Sequence, residues 1–123
     1  MAEWPRQSPL VKVTFGWSLA PGVDRSKFEQ WYLDDHVRDA IQKYAGPKMV
    51  KYVVNSVIDT ASTDGSTSDL YREAELYFPS LEALPDRFRT VPPRSDVLDH
   101  GAGRLVRTFW QSEEVILKPG GSR

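Results

Sequence analysis

Hydrophobic and polar side chains alternate along residues 10–19. A period of two is typical of a β-strand whose two faces meet different surroundings. The alternation returns at residues 49–58 and 70–78, and a last strand is predicted over residues 105–117. The pattern therefore predicts four strands, each bounded by turn-forming or polar residues.

A long helix is predicted between the first two strands and runs toward Tyr44. Phe28, Trp31 and Tyr32 form one apolar stripe at helical spacing. Beyond His36 the apolar residues continue about one residue out of phase with that stripe. A helix that loses phase in this way kinks, ends and restarts, or carries a bulge. One of these irregularities is expected beside His36.

A second, shorter helix is predicted after the third strand. Ser80 is its expected N-cap, and Leu84 and Phe88 are expected on its buried side. Pro85 would shorten or distort this helix, because proline lacks a backbone N–H. A helical turn is expected near residues 95–100.

The element order strand, helix, strand, strand, helix, strand predicts a ferredoxin-like βαββαβ fold of the α+β class. Its four-stranded antiparallel sheet would carry two helices on one face. We expect one domain over residues 1–123, with an ordered core of about residues 10–117. The strands have large side chains on both faces, so a single copy would leave one sheet face uncovered. We therefore expect a homodimer in which two sheets pair face to face as a dimeric α/β barrel.

Composition and charge exclude several classes of function. The formal net charge is -1 at pH 7, and without a basic surplus we expect no nucleic-acid partner. The absence of cysteine excludes thiol nucleophiles and disulfides. Because no phosphate-binding glycine motif and no closely spaced histidine pair occur, we expect neither a nucleotide cofactor nor a metal. No segment has the length and apolarity of a signal or membrane span, so a cytoplasmic protein without a membrane partner is expected.

His36 is the main catalytic candidate, since histidine moves protons most readily near neutral pH. On a continuous helix, Tyr32, His36 and Asp39 would share one face. Asp39, or Asp35 if the helix distorts, would then orient the imidazole. The ordinary alternative is a surface histidine with solvated aspartates.

Aromatic residues and the second histidine are candidates for substrate binding. Trp17 and Tyr52 are predicted to form pocket walls, because each combines an apolar ring with one polar group. Phe28 is a further candidate, and His100 would line the open end of the same cleft. The simpler alternatives are that the aromatic rings fill the core and that His100 is a polar loop residue.

The chain resembles the EthD family over roughly residues 10–117. Phe28, Tyr32 and His36 match that family's Phe-x-x-x-Tyr-x-x-x-His helix, and Tyr71 to Phe78 resembles its third strand. The family often has a proline soon after the histidine, where this chain has residues 37–39, Val-Arg-Asp. The resemblance implies a dimeric ferredoxin-like barrel with a pocket between sheet and helices in each protomer. It also implies chemistry like that of cofactor-independent lyases, isomerases, polyketide cyclases and monooxygenases acting on small cyclic or aromatic compounds.

The leading hypothesis is a cofactor-independent small-molecule enzyme of the lyase, isomerase or cyclase type. His36 would act as general acid or base, and Tyr32 would donate a hydrogen bond to the substrate. Two alternatives remain at this stage: a dimeric ligand-binding or accessory protein without chemistry, and a cofactor-free monooxygenase.

Overall fold

Four strands form one antiparallel sheet in the computed structural model, which describes residues 9–117. The strands are β1 (Leu10–Leu19), β2 (Lys51–Ser56), β3 (Arg72–Phe78) and β4 (Ala102–Ser112). Their order across the sheet is β2-β3-β1-β4, with β1 and β3 at the centre. The predicted α+β fold with a four-stranded antiparallel sheet is confirmed.

The hydrophobic core lies on one face of this sheet. Val13 of β1 is paired with Leu76 of β3, and Phe15 is paired with Ala74. Residues directly opposite each other in antiparallel strands project to the same face, so these four side chains form one layer. All four are buried. The long helix packs on this layer through its aromatic side chains.

The long helix spans residues 25–44 and begins after Asp24, whose carboxylate accepts a hydrogen bond from the N–H of Lys27 (3.2 Å). Two of its turns are π-helical, Tyr32–His36 and Ala40–Tyr44. At the end of the first π turn, the N–H of Val37 bonds to the carbonyl of Tyr32, five residues earlier. The irregularity predicted beside His36 is therefore a π bulge.

The predicted second helix is wrong. Two short 3-10 turns stand in its place, Leu81–Ala83 and Asp86–Arg89. Pro85 separates them: it restricts the preceding residue to extended backbone, and Leu84 has a ψ of 136°. Leu84 and Phe88 are nevertheless buried, because the two turns still direct them into the core.

The last two elements of the chain form as predicted, but their bounds differ from the predicted ranges. A single helical turn, Val97–His100, forms where one was expected. Gly101 has a φ of 140° and ends that turn, a conformation that glycine adopts without strain. The strand β4 then runs from Ala102 to Ser112, earlier than the predicted range of residues 105–117.

The opposite face of the sheet carries a hydrogen-bonded polar layer. The carboxylate of Glu75 accepts hydrogen bonds from Asn55 (2.7 Å), Tyr77 (2.5 Å) and Lys12 (3.4 Å). Trp110, which is 46% exposed, donates its indole N–H to the hydroxyl of Thr14 (2.9 Å). The pairing of two sheets through this face remains a prediction.

Candidate functional site

A cavity of about 360 Å³ lies between the sheet and the long helix. Cavities of this size accept small organic ligands. Phe15, Ala74 and Leu76 from the sheet form its apolar floor, and Phe88 closes one side. The long helix adds His36, Ala40 and Tyr44, and the segment of residues 87–99 completes the wall.

The most distinctive contact at this cavity joins His36 and Asp96. The imidazole Nδ1 of His36 lies 2.6 Å from the Oδ1 of Asp96. Both residues line the cavity, and the His36 side chain is only 11% exposed. The two groups form an ion pair when the imidazole is protonated, but their geometry is not that of a well-directed hydrogen bond at Nδ1. Because Asp96 lies against Nδ1, Nε2 is the ring nitrogen that remains for a hydrogen bond to a ligand.

The electrostatics of this pair favour an ionised carboxylate. Burial opposes the charge on Asp96, but the His36 imidazole and the Ser95 hydroxyl outweigh it. Together they hold the pKa of Asp96 below its ordinary value. Asp96 is therefore charged at neutral pH.

Asp35 and Asp39, the predicted partners of His36, lie elsewhere. Asp35 is exposed, with its Oδ1 3.6 Å from the guanidinium of Arg38. Asp39 contacts Arg38 (3.4 Å) and Lys43 (3.6 Å). The wide π turn shifts the phase of the helix, so that these carboxylates face surface cations instead of the imidazole. The prediction that either one orients His36 is wrong.

Tyr32 lies beneath the cavity and is completely buried. Its ring stacks on the His36 ring, with centroids 5.0 Å apart and planes 17° apart, and the Arg72 guanidinium lies 4.8 Å from its centroid. Burial, strengthened by the neighbouring Tyr52, raises the pKa of Tyr32. Among residues 9–117, its hydroxyl has no hydrogen-bond partner. Tyr32 therefore supports the imidazole ring in this structure and does not form part of the cavity wall.

Trp17 and Tyr52 both line the cavity, as the sequence predicted for pocket walls. Burial raises the pKa of Tyr52 to about 12, and the charge of Asp96 acts in the same direction. The Tyr52 phenol is therefore protonated at neutral pH and can donate a hydrogen bond to a ligand oxygen. Whether these two residues bind a substrate remains a prediction.

Phe28 and His100 lie away from the cavity wall. Phe28 is 2% exposed and stacks one helical turn before Tyr32, with ring centroids 6.1 Å apart, so it fills the core. The exposed His100 stacks on Trp31, with centroids 3.7 Å apart and planes 11° apart. Their predicted places in the pocket are corrected: Phe28 lies too deep, and His100 lies outside against the helix.

Sequence reasoning missed seven polar residues that the fold brings to the cavity: Tyr44, Arg87, Thr90, Arg94, Ser95, Asp96 and Asp99. The available signal was the density of charge between residues 86 and 99, in a segment expected to be irregular. Such segments carry binding groups more often than the elements they connect.

Within residues 9–117, no three histidine or carboxylate side chains come together in a way that could hold a metal ion. None of the helices in the same range has the length and apolar character needed to cross a membrane.

Several solved structures share this fold, among them the following two. An ethyl tert-butyl ether D (EthD) family protein from Bacillus halodurans C-125 is 21% identical, with a TM-score of 0.60 over 84% of this chain and 98% of that one. An EthD-like protein from Ralstonia eutropha JMP134 is 12% identical, with a TM-score of 0.55 over 95% of this chain and 100% of that one. Scans against protein-family models and curated proteins gave no match. The chain thus has the EthD-like fold that its sequence resemblance predicted.

Proposed function

We propose that this protein is a cofactor-independent small-molecule enzyme of the lyase, isomerase or cyclase type, with His36 as its general acid and base. The observation that carries this proposal is the 2.6 Å contact between His36 and Asp96 at the wall of a mainly apolar cavity. A histidine supported by a carboxylate and placed beside a ligand site is a common arrangement for proton transfer.

The proposed chemistry uses the free nitrogen of the imidazole. Nε2 removes a proton from a substrate carbon next to a carbonyl, or from a phenol, and Asp96 stabilises the imidazolium that forms. The same nitrogen then returns the proton to another atom of the substrate, which completes an isomerisation, an elimination or a ring closure. General acid–base assistance of this kind is worth on the order of 10²–10⁴ in rate.

The substrate that suits this cavity is small, cyclic and largely apolar. The rings of Phe15, Trp17 and Phe88 provide flat walls, and the volume of about 360 Å³ limits the ligand to a few fused rings. Tyr52 would donate its hydroxyl hydrogen to the carbonyl or phenolic oxygen of the substrate. This donation would stabilise the negative charge that develops when His36 takes a proton.

The same proposal includes a homodimer that acts in the cytoplasm. The half-exposed Trp110 and the polar layer around Glu75 would form the contact between two sheets. The absence of cysteine suits a reducing compartment.

Proton exchange tests this proposal directly, because measuring it does not require the natural substrate to be known. The protein is incubated in heavy water with a panel of cyclic ketones and hydroxyaromatic compounds, and deuterium incorporation is measured by NMR. We expect exchange with the wild type, at least 100-fold slower exchange with His36→Gln, and normal exchange with His100→Gln as the matched histidine control. Equal exchange by wild type and His36→Gln would refute the role of His36. Ligand binding without exchange would favour a non-catalytic binding protein.

A further inference from the structure

Two arginines, Arg87 and Arg94, lie on the wall of the same cavity and are exposed. Arg87 follows Pro85 in the second 3-10 turn, and its guanidinium lies 5.2 Å from the ring centroid of Tyr44. Stacking on an aromatic ring limits the positions that the side chain occupies. Both arginines come from the irregular segment of residues 87–99, which packs against the long helix at this cavity.

Within residues 9–117, neither arginine has a carboxylate within 4.0 Å. By contrast, Arg72 is paired with Glu29 (2.5 Å) and Arg104 with Asp69, while Arg89 and Arg107 are held by backbone carbonyls. An unpaired guanidinium at a cavity wall retains all five of its N–H donors for a ligand. Arg87 and Arg94 therefore differ from the arginines that stabilise the fold.

Neither carboxylate on the same wall neutralises these guanidinium groups by direct contact. Asp96 is engaged by His36, with Nδ1 and Oδ1 2.6 Å apart. Asp99 is the other carboxylate that lines the cavity, and it too lies more than 4.0 Å from both guanidinium groups. Both arginines therefore remain available to an anionic ligand.

The backbone that carries the arginines is held in place. The Nη1 of Arg107 donates hydrogen bonds to the carbonyl of Phe88 (2.8 Å) and to that of Thr90. These carbonyls lie between Arg87 and Arg94 in the chain, so β4 fixes the segment relative to the sheet. A fixed segment keeps the entropic cost of binding an anion low.

We propose that Arg87 and Arg94 bind a carboxylate on the substrate, which makes the substrate class a cyclic or aromatic carboxylic acid. This inference rests on the proposed function, because it names the ligand of the same cavity. The apolar floor would hold the ring while the guanidinium groups hold the carboxylate. Arginine suits this role because its planar fork matches the two oxygens of a carboxylate.

The test compares 2-naphthoate with its uncharged analogue 2-naphthamide, which has the same ring system. Binding is measured by calorimetry and by quenching of tryptophan fluorescence, since Trp17 lines the cavity. We expect 2-naphthoate to bind the wild type about tenfold more tightly than 2-naphthamide, the effect of a charge-assisted hydrogen bond. The double variant Arg87→Gln/Arg94→Gln should bind the two compounds equally. Arg38→Gln is the matched control, since Arg38 is exposed outside the cavity, and should keep the preference.

The results separate this inference from the proposed function. Equal binding of the two compounds by the wild type, or an unchanged preference in the double variant, would overturn the carboxylate site while leaving acid–base catalysis on a neutral substrate intact. No binding of either compound at about 1 mM would overturn both the carboxylate site and the proposed ligand cavity. Retained preference in Arg38→Gln with loss in the double variant supports the inference.

Discussion

Asp96 contacts the imidazole of His36 from a part of the chain far removed from the helix that carries the histidine, with Nδ1 and Oδ1 2.6 Å apart. The helix supplies the histidine that we propose transfers protons, and Asp96, the residue just before the short helical turn, supplies a carboxylate beside it. The site therefore depends on how the segment of residues 87–99 packs against the helix. Changes in that segment should affect catalysis even where they leave His36 in place.

Replacing Asp96 should slow turnover more than it weakens substrate binding. In Asp96→Asn the imidazole loses the negative charge that stabilises its protonated form, so we expect kcat to fall about 10- to 100-fold with little change in KM. Steady-state kinetics, or the proton-exchange rate, measures this. Asp35→Asn is the matched control and should behave as wild type, because Asp35 contacts only surface cations. A rise in KM at constant kcat would contradict the proposed role of Asp96 in stabilising the imidazolium of His36.

The partly buried ion pair between Glu29 and Arg72 should make the protein sensitive to acid. The Arg72 guanidinium holds the pKa of Glu29 below its ordinary value of 4.5. The stability that this pair contributes is thus present above about pH 4.5 and is lost as the pH falls through the lower pKa of the folded state. Thermal melts should show a steeper acid loss for wild type than for Glu29→Gln.

At neutral pH, Glu29→Gln should lower the free energy of unfolding by about 2 kcal/mol, because it leaves the 5% exposed Arg72 without its counter-charge. The cost stays below that of a fully buried pair, since Glu29 is 27% exposed. Denaturant unfolding gives this value. Glu113→Gln, which alters an exposed glutamate, is the control and should change stability by less than about 0.5 kcal/mol.

Tyr52 should act as a hydrogen-bond donor and not as a titrating acid. Because burial raises the pKa of Tyr52 to about 12, its phenol keeps its proton throughout the neutral and mildly alkaline range. Tyr52→Phe should therefore lower the rate about tenfold without changing the shape of the pH–rate profile. A basic limb that disappears in Tyr52→Phe would show that the phenol ionises during turnover.

The proposed dimer should depend on the polar face of the sheet. We expect light scattering of wild type to give about twice the chain mass of 14.0 kDa. Trp110→Asp would place a charge at the contact between sheets and should yield the monomer. Ile58→Asp, at a residue 99% exposed, is the matched apolar-to-acid control and should remain dimeric. A wild-type monomer at micromolar concentration would refute the pairing.

Local patterns were sufficient to predict the sheet and the irregularity in the helix. Alternation along β1 correctly assigned Val13 and Phe15 to one face, because the side-chain period of a strand is fixed by its backbone. The loss of phase beside His36 was visible because a π turn displaces every apolar position that follows it. Both features involve neighbouring residues, so both can be seen in a single sequence.

Contacts between distant segments could not be predicted in the same way. The pairing of His36 with Asp96 arises from tertiary packing. The local candidates Asp35 and Asp39 instead contact the surface side chains of Arg38 and Lys43. Phe28 and Tyr32 share one helical stripe with His36, yet both lie deeper in the core than His36 does. Helical spacing gives the face on which a side chain lies but not its depth. The prediction of a second helix failed because Pro85 interrupts helical backbone despite the apolar spacing around it.

The π turn at Tyr32–His36 makes this site sensitive to the number of residues in the chain as well as to their identity. Leu33 within it is 48% exposed, so its side chain should tolerate many replacements. Deleting Leu33 should have a much larger effect than replacing it, because one residue fewer would rotate the flanking helical segments by about 100° relative to each other. A related chain with the same histidine but a shorter turn would therefore present its imidazole in another direction. If the proposed activity is correct, insertions and deletions in this turn, more than substitutions, should separate homologues that have it from those that do not.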